Sequence, residues 1–298
     1  MVTCTDRKVD APNETLRARS LPEGSVKQRA TDWQERIRSV ASQDQTVVRS
    51  LANLYCGDHW TQACGLVGAA TNAGFAPRLW VASAGLGLQP VEPAEYSAPS
   101  YAATFSTRHA DSVATSATEN ADWWSHLQAG SGRTTLQELG RRGAVLAVLS
   151  EVYASAMEAE LLTLGGVGSE ALLVGGMADI PGIQRIPSNA GLRRALGGTL
   201  TSLNVRMAAS WLKHCQEGSL ISPEGQSLWD KWSAHVEAQE RYDRRPMTDQ
   251  EVIAFITRET KRTPGISRTR LLRTLRDGGQ ACEQSRFANL FAQTVGKQ

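Results

Sequence analysis

The sequence predicts an α/β protein: a parallel, doubly wound sheet flanked by helices, followed by a small, basic, all-helical module. Short apolar runs alternate with helical patterns along the first part of the chain, which is typical of a parallel sheet. The length of 298 residues exceeds one ordinary domain. Positive charge collects at the end, where residues 244–298 hold 11 Lys and Arg against 5 Asp and Glu. We therefore expect two units, 1–240 and 246–298.

The strands of the predicted sheet are the short apolar runs. LWVAS at 79–83, AVLAVL at 144–149 and ALLVG at 171–175 are each bounded by glycine or polar residues, and residues 2–5 could add a strand. Residues 61–73 and 153–164 have helical spacing. Ligands bind at the carboxyl ends of parallel strands, so the loops 4–8, 83–88 and 175–179 should lie together.

The connecting segments are less regular. Residues 89–106 contain Pro90, Pro93 and Pro99 and are expected to form a weakly structured loop that shapes a pocket. A further helical region is predicted over 191–214. The polar stretch 241–246 is expected to link the two units.

The C-terminal module carries three helical patterns. Thr248 and Glu251 form a capping box, and Ser267 caps the next helix. The expected apolar stripes are Val252, Ile253 and Ile256, then Leu271, Leu272 and Leu275, then Phe287, Leu290 and Phe291. A helix, a Gly278-Gly279 turn and a second helix are typical of a helix-turn-helix, although any three-helix bundle has the same stripes. The arginine density favours DNA over a merely solvated face.

Composition excludes several classes. No apolar run approaches the ~18 residues that span a bilayer, and the N-terminus lacks a secretory signal, so we expect a cytoplasmic protein with no membrane partner. The five cysteines form no CxxC pair, which argues against disulfides, zinc and iron–sulfur clusters. The SAGLGL run lacks the GxGxxG spacing, and no Walker lysine, HExxH or GxSxG motif occurs. We expect neither a cofactor nor a metal.

Polar and aromatic residues mix with glycine in four segments: 55–60, 83–88, 101–111 and 123–124. A pocket for a flat heterocycle needs aromatic faces, hydrogen-bonding edges and backbone that approaches closely. Core packing alone explains Trp80 well and Trp60 plausibly, but it explains 101–106 less well. These segments are therefore the candidate site.

These segments also carry a resemblance. Their order is Cys4 to Lys8, LYCGDHW at 54–60, LWVASAGLGL at 79–88, YAATFS at 101–106, Asp111 and WW at 123–124, followed by GGQACEQSRF at 278–287. The series resembles a bacterial family related to the uracil-DNA glycosylase superfamily and to the base-binding domains of archaeosine synthases. More narrowly, the whole chain resembles the bacteriophage replication inhibition DNA glycosylases, which remove glucosylated hydroxymethylcytosine. The classical water-activating motif is not recognisable.

The resemblance implies a catalytic carboxylate and a base-binding pocket. Cleaving an N-glycosidic bond passes through an oxocarbenium-like sugar, which a carboxylate stabilises. By analogy with the superfamily Asp6 would activate water, and Asp111 and Asp58 are the other candidates; Lys8, His59 or His109 could protonate the departing base. Tyr101 and Phe105 would stack on the flipped base. The remaining base or DNA contacts expected are Cys4, Thr5, Trp60, Ser83, Gly85, Leu86, Thr104, Arg268, Arg270, Arg273 and Arg286.

The leading hypothesis is thus a metal-independent DNA glycosylase whose partner is modified phage DNA, with no obligate protein partner. One alternative is a transglycosylase that exchanges the base. Another is a helix-turn-helix regulator whose α/β domain senses a nucleoside. From the residues alone the aspartates could also be helix caps or surface charges.

Overall fold

The structure is a computed structural model that describes residues 1–92, 94–129, 133–215, 218–237 and 245–295. The chain divides into two compact units, Met1–Glu237 and Ala238–Gln298. Pro93 of the proline-rich segment and residues 241–244 of the expected linker lie outside the described residues.

The strands and helices are these. The strands are β1 (Val2–Thr3), β2 (Val48–Ser50), β3 (Trp80–Ser83), β4 (Gly87–Pro90), β5 (Ser97–Pro99), β6 (Val145–Leu149), β7 (Ala171–Gly175), β8 (Gln184–Ile186), β9 (Arg245–Pro246) and β10 (Gln280–Ala281). The helices are α1 (Val26–Gln43), α2 (Leu51–Leu54), α3 (Asp58–Asn72), α4 (Ala117–Gln128), α5 (Leu136–Arg142), α6 (Glu151–Ala156), α7 (Glu158–Gly165), α8 (Arg193–Leu196), α9 (Leu203–Leu212), α10 (Pro223–Glu237), α11 (Asp249–Arg262), α12 (Arg268–Asp277) and α13 (Gln284–Val295).

A six-stranded sheet forms the centre of the first unit, in the order β4-β3-β1-β6-β7-β8. Every described neighbour pair in it is parallel except β3 with β4. All five residues of β7 are buried, as expected for a strand with helices on both faces. The prediction of an α/β fold with a mostly parallel sheet flanked by helices is confirmed.

The strand order reverses at β1. From β1 the chain continues to β3 on one side, and it later returns to β6 on the other side of β1. In open α/β sheets ligands bind where the order reverses in this way, outside the carboxyl ends of the strands. Across this point the Sγ of Cys4 and the hydroxyl of Tyr153 share a hydrogen bond of 3.1 Å.

Two expected connections are more regular than the sequence indicated. Gly87, with a φ of 74°, turns the chain so that β4 pairs antiparallel with β3, inside the segment expected to be a loop. The proline-rich segment then supplies β5, which pairs with β2.

The helix expected over 191–214 is interrupted at Gly197 and Gly198, whose φ values of 73° and 77° lie in the left-handed region.

Helices α1 and α4 hold the loop after β3. Ser25 and Gln28 form a capping box that starts α1. The indole N–H of Trp33 on α1 donates to the carbonyl of Gly85 at 2.7 Å, and the indole of Trp123 on α4 donates to that of Ala84 at 2.7 Å. These two buried bonds fix the backbone next to the candidate site.

The C-terminal unit has a small core of its own. Val252, Ile256, Leu271, Leu275 and Phe287 are each at most 1% exposed. The predicted caps Thr248 and Ser267 are both present. Of the apolar residues that follow the capping box, Ile253 is 36% exposed. The strands β9 and β10 pair in parallel beside the helices.

Candidate functional site

Lys8 lies where the chain leaves β1 and meets the segment before α3. Its backbone forms an antiparallel bridge with Tyr55, and its ammonium lies 4.3 Å from the ring centroid of Tyr101. The ammonium also donates to the carbonyl of Thr5 at 3.2 Å. A cation over an aromatic face is attracted by the ring quadrupole, so Tyr101 holds the amine in place.

The environment of Lys8 makes it a better acid. Burial lowers the pKa of Lys8 below its ordinary 10.5, and the charges of Cys4, Asp6, Cys56 and Asp111 oppose this in part. Both Asp6 and Asp111 are therefore close enough to act electrostatically on one amine. A lysine in such a place releases a proton more readily than one in water.

Asp111 is a buried carboxylate, only 3% exposed. Its Oδ2 accepts from Nη1 of Arg17 at 3.3 Å, and its Oδ1 has no hydrogen-bond partner among the described residues. The Nε of Arg19 lies 3.9 Å from Oδ1. Leaving a buried carboxylate oxygen without a donor costs free energy, and such exceptions often mark functional sites.

His109 and Asp6 complete what we call the Lys8–Asp111 cluster: Asp6, Lys8, Arg17, Arg19, Tyr101, His109 and Asp111. The backbone N–H of Asp111 donates to Nδ1 of His109 at 3.0 Å, so the neutral ring carries its proton on Nε2. His109 and Asp6 are exposed, and the Asp6 carboxylate has no described partner. The cluster thus has a buried carboxylate, that of Asp111, and an exposed one, that of Asp6. Lys8 and His109 are the two nitrogen groups in it that can give up a proton, since arginine stays protonated.

A chain of buried hydroxyl groups lies beneath the cluster. The hydroxyls of Tyr55 and Tyr101 share a bond of 2.6 Å, and Tyr101 shares one of 2.5 Å with Oγ of Ser83. Burial raises the pKa of both tyrosines well above 10.0. Ser83 also accepts the N–H groups of Gly85 and Leu86, both at 3.1 Å. These residues are satisfied internally and support the site from below.

The expected base-stacking rings are core residues. Phe105 is 0% exposed and packs edge-on against Tyr153 at a centroid distance of 4.9 Å. Tyr101 is 1% exposed and faces Lys8. Trp60 is buried against Tyr55, 4.8 Å between centroids. The prediction that Tyr101 and Phe105 stack on a base is wrong for this conformation, because neither ring offers an accessible face. Likewise Thr104 is buried, and its N–H and carbonyl pair with the strand-like segment 111–113.

Asp58 and His59 are committed elsewhere. Asp58 at the start of α3 pairs with Arg206 at 2.7 Å, and hydrogen bonds from Ser202 and Arg206 hold the pKa of its carboxyl below 3.8. The ring nitrogens of His59 lie 3.0 Å from the carbonyl of Thr201 and 2.9 Å from that of Thr3. Neither side chain joins the Lys8–Asp111 cluster, and both tie α3 to its neighbours.

Three residues of the site were missed in the sequence. Tyr153 bonds Cys4 and accepts the N–H of Ala84 at 3.3 Å. It follows the predicted 144–149 strand, so the same carboxyl-end argument could have found it. Arg17 and Arg19 come from an irregular segment with no pattern. They reach the site because Arg17 pairs with Ala102 in a parallel bridge.

In the third loop expected at the carboxyl ends of the strands, 175–179, Asp179 forms an ion pair with Arg185 at 2.6 Å.

The expected DNA contacts of the C-terminal unit divide into two kinds. Arg268, Arg270 and Arg273 are exposed on α12. Arg286 pairs with Asp249 at 2.5 Å, so its charge is already neutralised. Of these four expected contacts, the three exposed arginines can bind an anionic partner without breaking an ion pair.

Other structural features bear on the site. In the described part of the chain, no three His, Cys, Asp or Glu side chains gather as metal ligands. All five cysteines are unpaired. None of the described helices has the length and apolar character needed to cross a membrane.

Together the fold and the site define a two-unit α/β protein with a partly buried acid–lysine cluster near the carboxyl end of its first strand. Comparison with known proteins adds nothing to this class: no family model, no curated protein and no solved structure matches the chain.

Proposed function

We propose that this chain is a DNA N-glycosylase that excises a modified base and leaves an abasic site. The observation that carries the proposal is the buried Asp111 carboxylate, which has one oxygen without a partner and acts on the charge of Lys8. Hydrolysis of an N-glycosidic bond needs a carboxylate near developing positive charge and a proton for the departing base. The Lys8–Asp111 cluster contains both.

The two carboxylates have different roles in this proposal. Asp111 is held by Arg17 and is shielded from water, so its negative charge acts strongly on the oxocarbenium-like sugar. Asp6 is exposed and unpaired among the described residues, which suits it to orient the attacking water. This assignment agrees with the resemblance, which places the water-activating residue after the first strand.

Lys8 and His109 are the proton donors in this proposal. Since burial lowers the pKa of Lys8, its ammonium gives up a proton to a base more readily than an exposed lysine does. His109 is exposed, and its proton on Nε2 can reach a ligand at the same rim. Asp58 and His59 have no part in this mechanism.

The resemblance supports the finer parts of the proposal. It favours a uracil-DNA-glycosylase-like fold, a glucosylated 5-hydroxymethylcytosine as the substrate and a role in defence against phage in the cytoplasm. Flipping a base costs a few kcal/mol, and phosphate contacts can offset this cost. Arg268, Arg270 and Arg273 on a helix-turn-helix-like module supply such contacts.

The test is a single-turnover reaction on phage DNA whose cytosines are glucosylated, with unmodified DNA as the control substrate. We expect alkali-labile sites to appear in the modified DNA alone. Their absence at saturating enzyme would refute the proposal.

The same reaction separates the two alternatives. A transglycosylase would incorporate a labelled free base into the DNA and leave no alkali-labile site. A regulator would bind one DNA sequence tightly and leave all bases in place. Either result would replace the glycosylase assignment.

A further inference from the structure

Two neighbouring cavities lie at the opposite end of the sheet, where the parallel strands begin. The first has a volume of about 380 Å³ and is mainly apolar, with Leu66, Phe75, Leu139 and Leu212 in its wall. The second, of about 470 Å³, is polar and includes Gln89, Tyr96 and Arg133. Arg78, Trp80 and Arg142 line both cavities, so the two adjoin along a shared wall.

This location separates the cavities from the Lys8–Asp111 cluster. Trp80 begins β3 and Val145 begins β6, and both residues line the apolar cavity. Asp6 and Lys8 of the cluster follow the end of β1, which lies between β3 and β6 and runs parallel to both. Since β6 has five residues and each spans about 3.3 Å, roughly 16 Å of strand lies between the two ends.

The charges around the shared wall are not balanced. Arg78 is paired with Glu95 and, at 3.7 Å, with Glu92. Arg133 is half-buried, and its Nη1 donates at 2.6 Å to a carbonyl, that of Leu86. Arg142 is exposed at the end of α5. Within the described ranges neither Arg133 nor Arg142 has a carboxylate partner.

A half-buried guanidinium without a counter-ion is costly. Burial lowers the pKa of the Arg133 guanidinium, and the neighbouring Tyr96 opposes this in part. Guanidinium groups bind carboxylates, sulfonates and phosphates through paired N–H groups. Arg133 and Arg142 both line the polar cavity, so one anion there would satisfy them together. Among the described residues, no acidic side chain lines the adjoining apolar cavity.

We propose that these cavities form a binding site for a small amphipathic organic anion. Its apolar body fills the cavity between α3 and α5, and its acidic group lies against Arg133 and Arg142. The cavity volume is within the range of small-ligand sites. The site is independent of the proposed glycosylase activity, because it involves none of the residues of the Lys8–Asp111 cluster.

The test compares two fluorescent probes with the same aromatic body, using the full chain without DNA. 8-Anilinonaphthalene-1-sulfonate carries an anionic group, and N-phenyl-1-naphthylamine is neutral. We expect saturable binding of one sulfonate probe per chain, at least about fivefold tighter than that of the neutral probe, because only the sulfonate gains charge-assisted hydrogen bonds. Equal affinities for the two probes would overturn the proposal.

Matched variants locate the site. Arg142→Gln should weaken sulfonate binding by about fivefold or more and leave the neutral probe unchanged. Arg141→Gln removes the same charge from the preceding residue of α5, which does not line either cavity, and should change neither affinity. Equal effects of the two substitutions would overturn the assignment.

A filling variant tests the apolar half. Gly143 lines the apolar cavity, its backbone is extended, and a Cβ built on it meets no atom within 4 Å. Gly143→Leu should therefore fold and should weaken both probes. Unchanged binding of both probes to a folded Gly143→Leu would contradict the placement of the ligand body.

Discussion

The role of Asp111 is tested by Asp111→Asn, which keeps the shape of the side chain and removes its charge. Arg17 retains Oε1 of Glu14 at 3.0 Å, so it is not left without an anion. Losing the charge of the bond to Arg17 costs about 1–2 kcal/mol, and removing a half-satisfied buried carboxylate returns a similar amount. We expect the free energy of unfolding to change by less than about 1 kcal/mol, or a Tm shift of about 2–4 °C at most.

The effect of Asp111→Asn on the reaction should be much larger. If this carboxylate stabilises the developing charge of the sugar, its loss should lower the single-turnover rate by about 10²–10³-fold. The rate is measured as alkali-labile sites formed in glucosylated DNA, and stability is measured by thermal unfolding of the same samples. Asp10→Asn is the matched control, because Asp10 pairs with Arg49 and contacts none of the cluster; it should keep the wild-type rate.

Two results would refute the reasoning about Asp111. One is a folded Asp111→Asn protein with the wild-type rate. The other is a loss of rate that follows the unfolding transition and disappears on cooling. Either would make Asp111 a structural partner of Arg17 alone.

Three further predictions concern the proton donor, the loop after β3 and the basic module. If Lys8 donates its proton, the reaction rate should fall as the pH rises through the pKa of Lys8, which lies below 10.5. In Lys8→Arg any residual rate should not fall in this way, because arginine stays protonated. A pH–rate profile that falls at the same alkaline pH in both proteins would exclude Lys8 as the donor. Gly85→Ala should lower the free energy of unfolding by about 1–3 kcal/mol in chemical denaturation, because its Cβ would lie 2.4 Å from the ring of Tyr101. Gly68→Ala, on an open face of α3, should raise it by up to about 1 kcal/mol. An unchanged free energy of unfolding in Gly85→Ala would show that the loop can move to make room. Arg273→Gln should reduce the slope of log K for DNA binding against log salt concentration by about 0.9. Arg286→Gln should reduce it by less, because Arg286 is already paired with Asp249. Equal slopes in the two variants would place the DNA elsewhere.

The buried strands could be predicted because each is a short apolar run with polar ends. The run at 171–175 matches β7 residue for residue, and the runs at 79–83 and 144–149 each begin one residue before β3 and β6. The edge strands could not be predicted. β4 lies in a glycine-rich segment, and β5 contains a proline, so their pairing depends on neighbours that the local sequence does not show.

The structure brings some of the predicted site residues together. Asp6 and Lys8 of the 4–8 loop lie in one cluster with His109 and Asp111 of the polar 101–111 segment. The carboxyl-end rule does not say which aromatic rings are exposed, so Phe105 was expected at a ligand and lies in the core. Arg17 could not be predicted, because its position depends on one isolated bridge to Ala102, 85 residues further along the chain.

The most direct test of the central claim is to identify what the full chain releases from DNA. Glucosylated phage DNA is incubated with the protein, and small molecules are separated and identified by mass spectrometry. The expected product is the free modified base, in a one-to-one ratio to abasic sites, and Asp111→Asn should release it about 10²–10³-fold more slowly. DNA that is bound by the protein but keeps every base attached would contradict the claim that the Lys8–Asp111 cluster breaks an N-glycosidic bond.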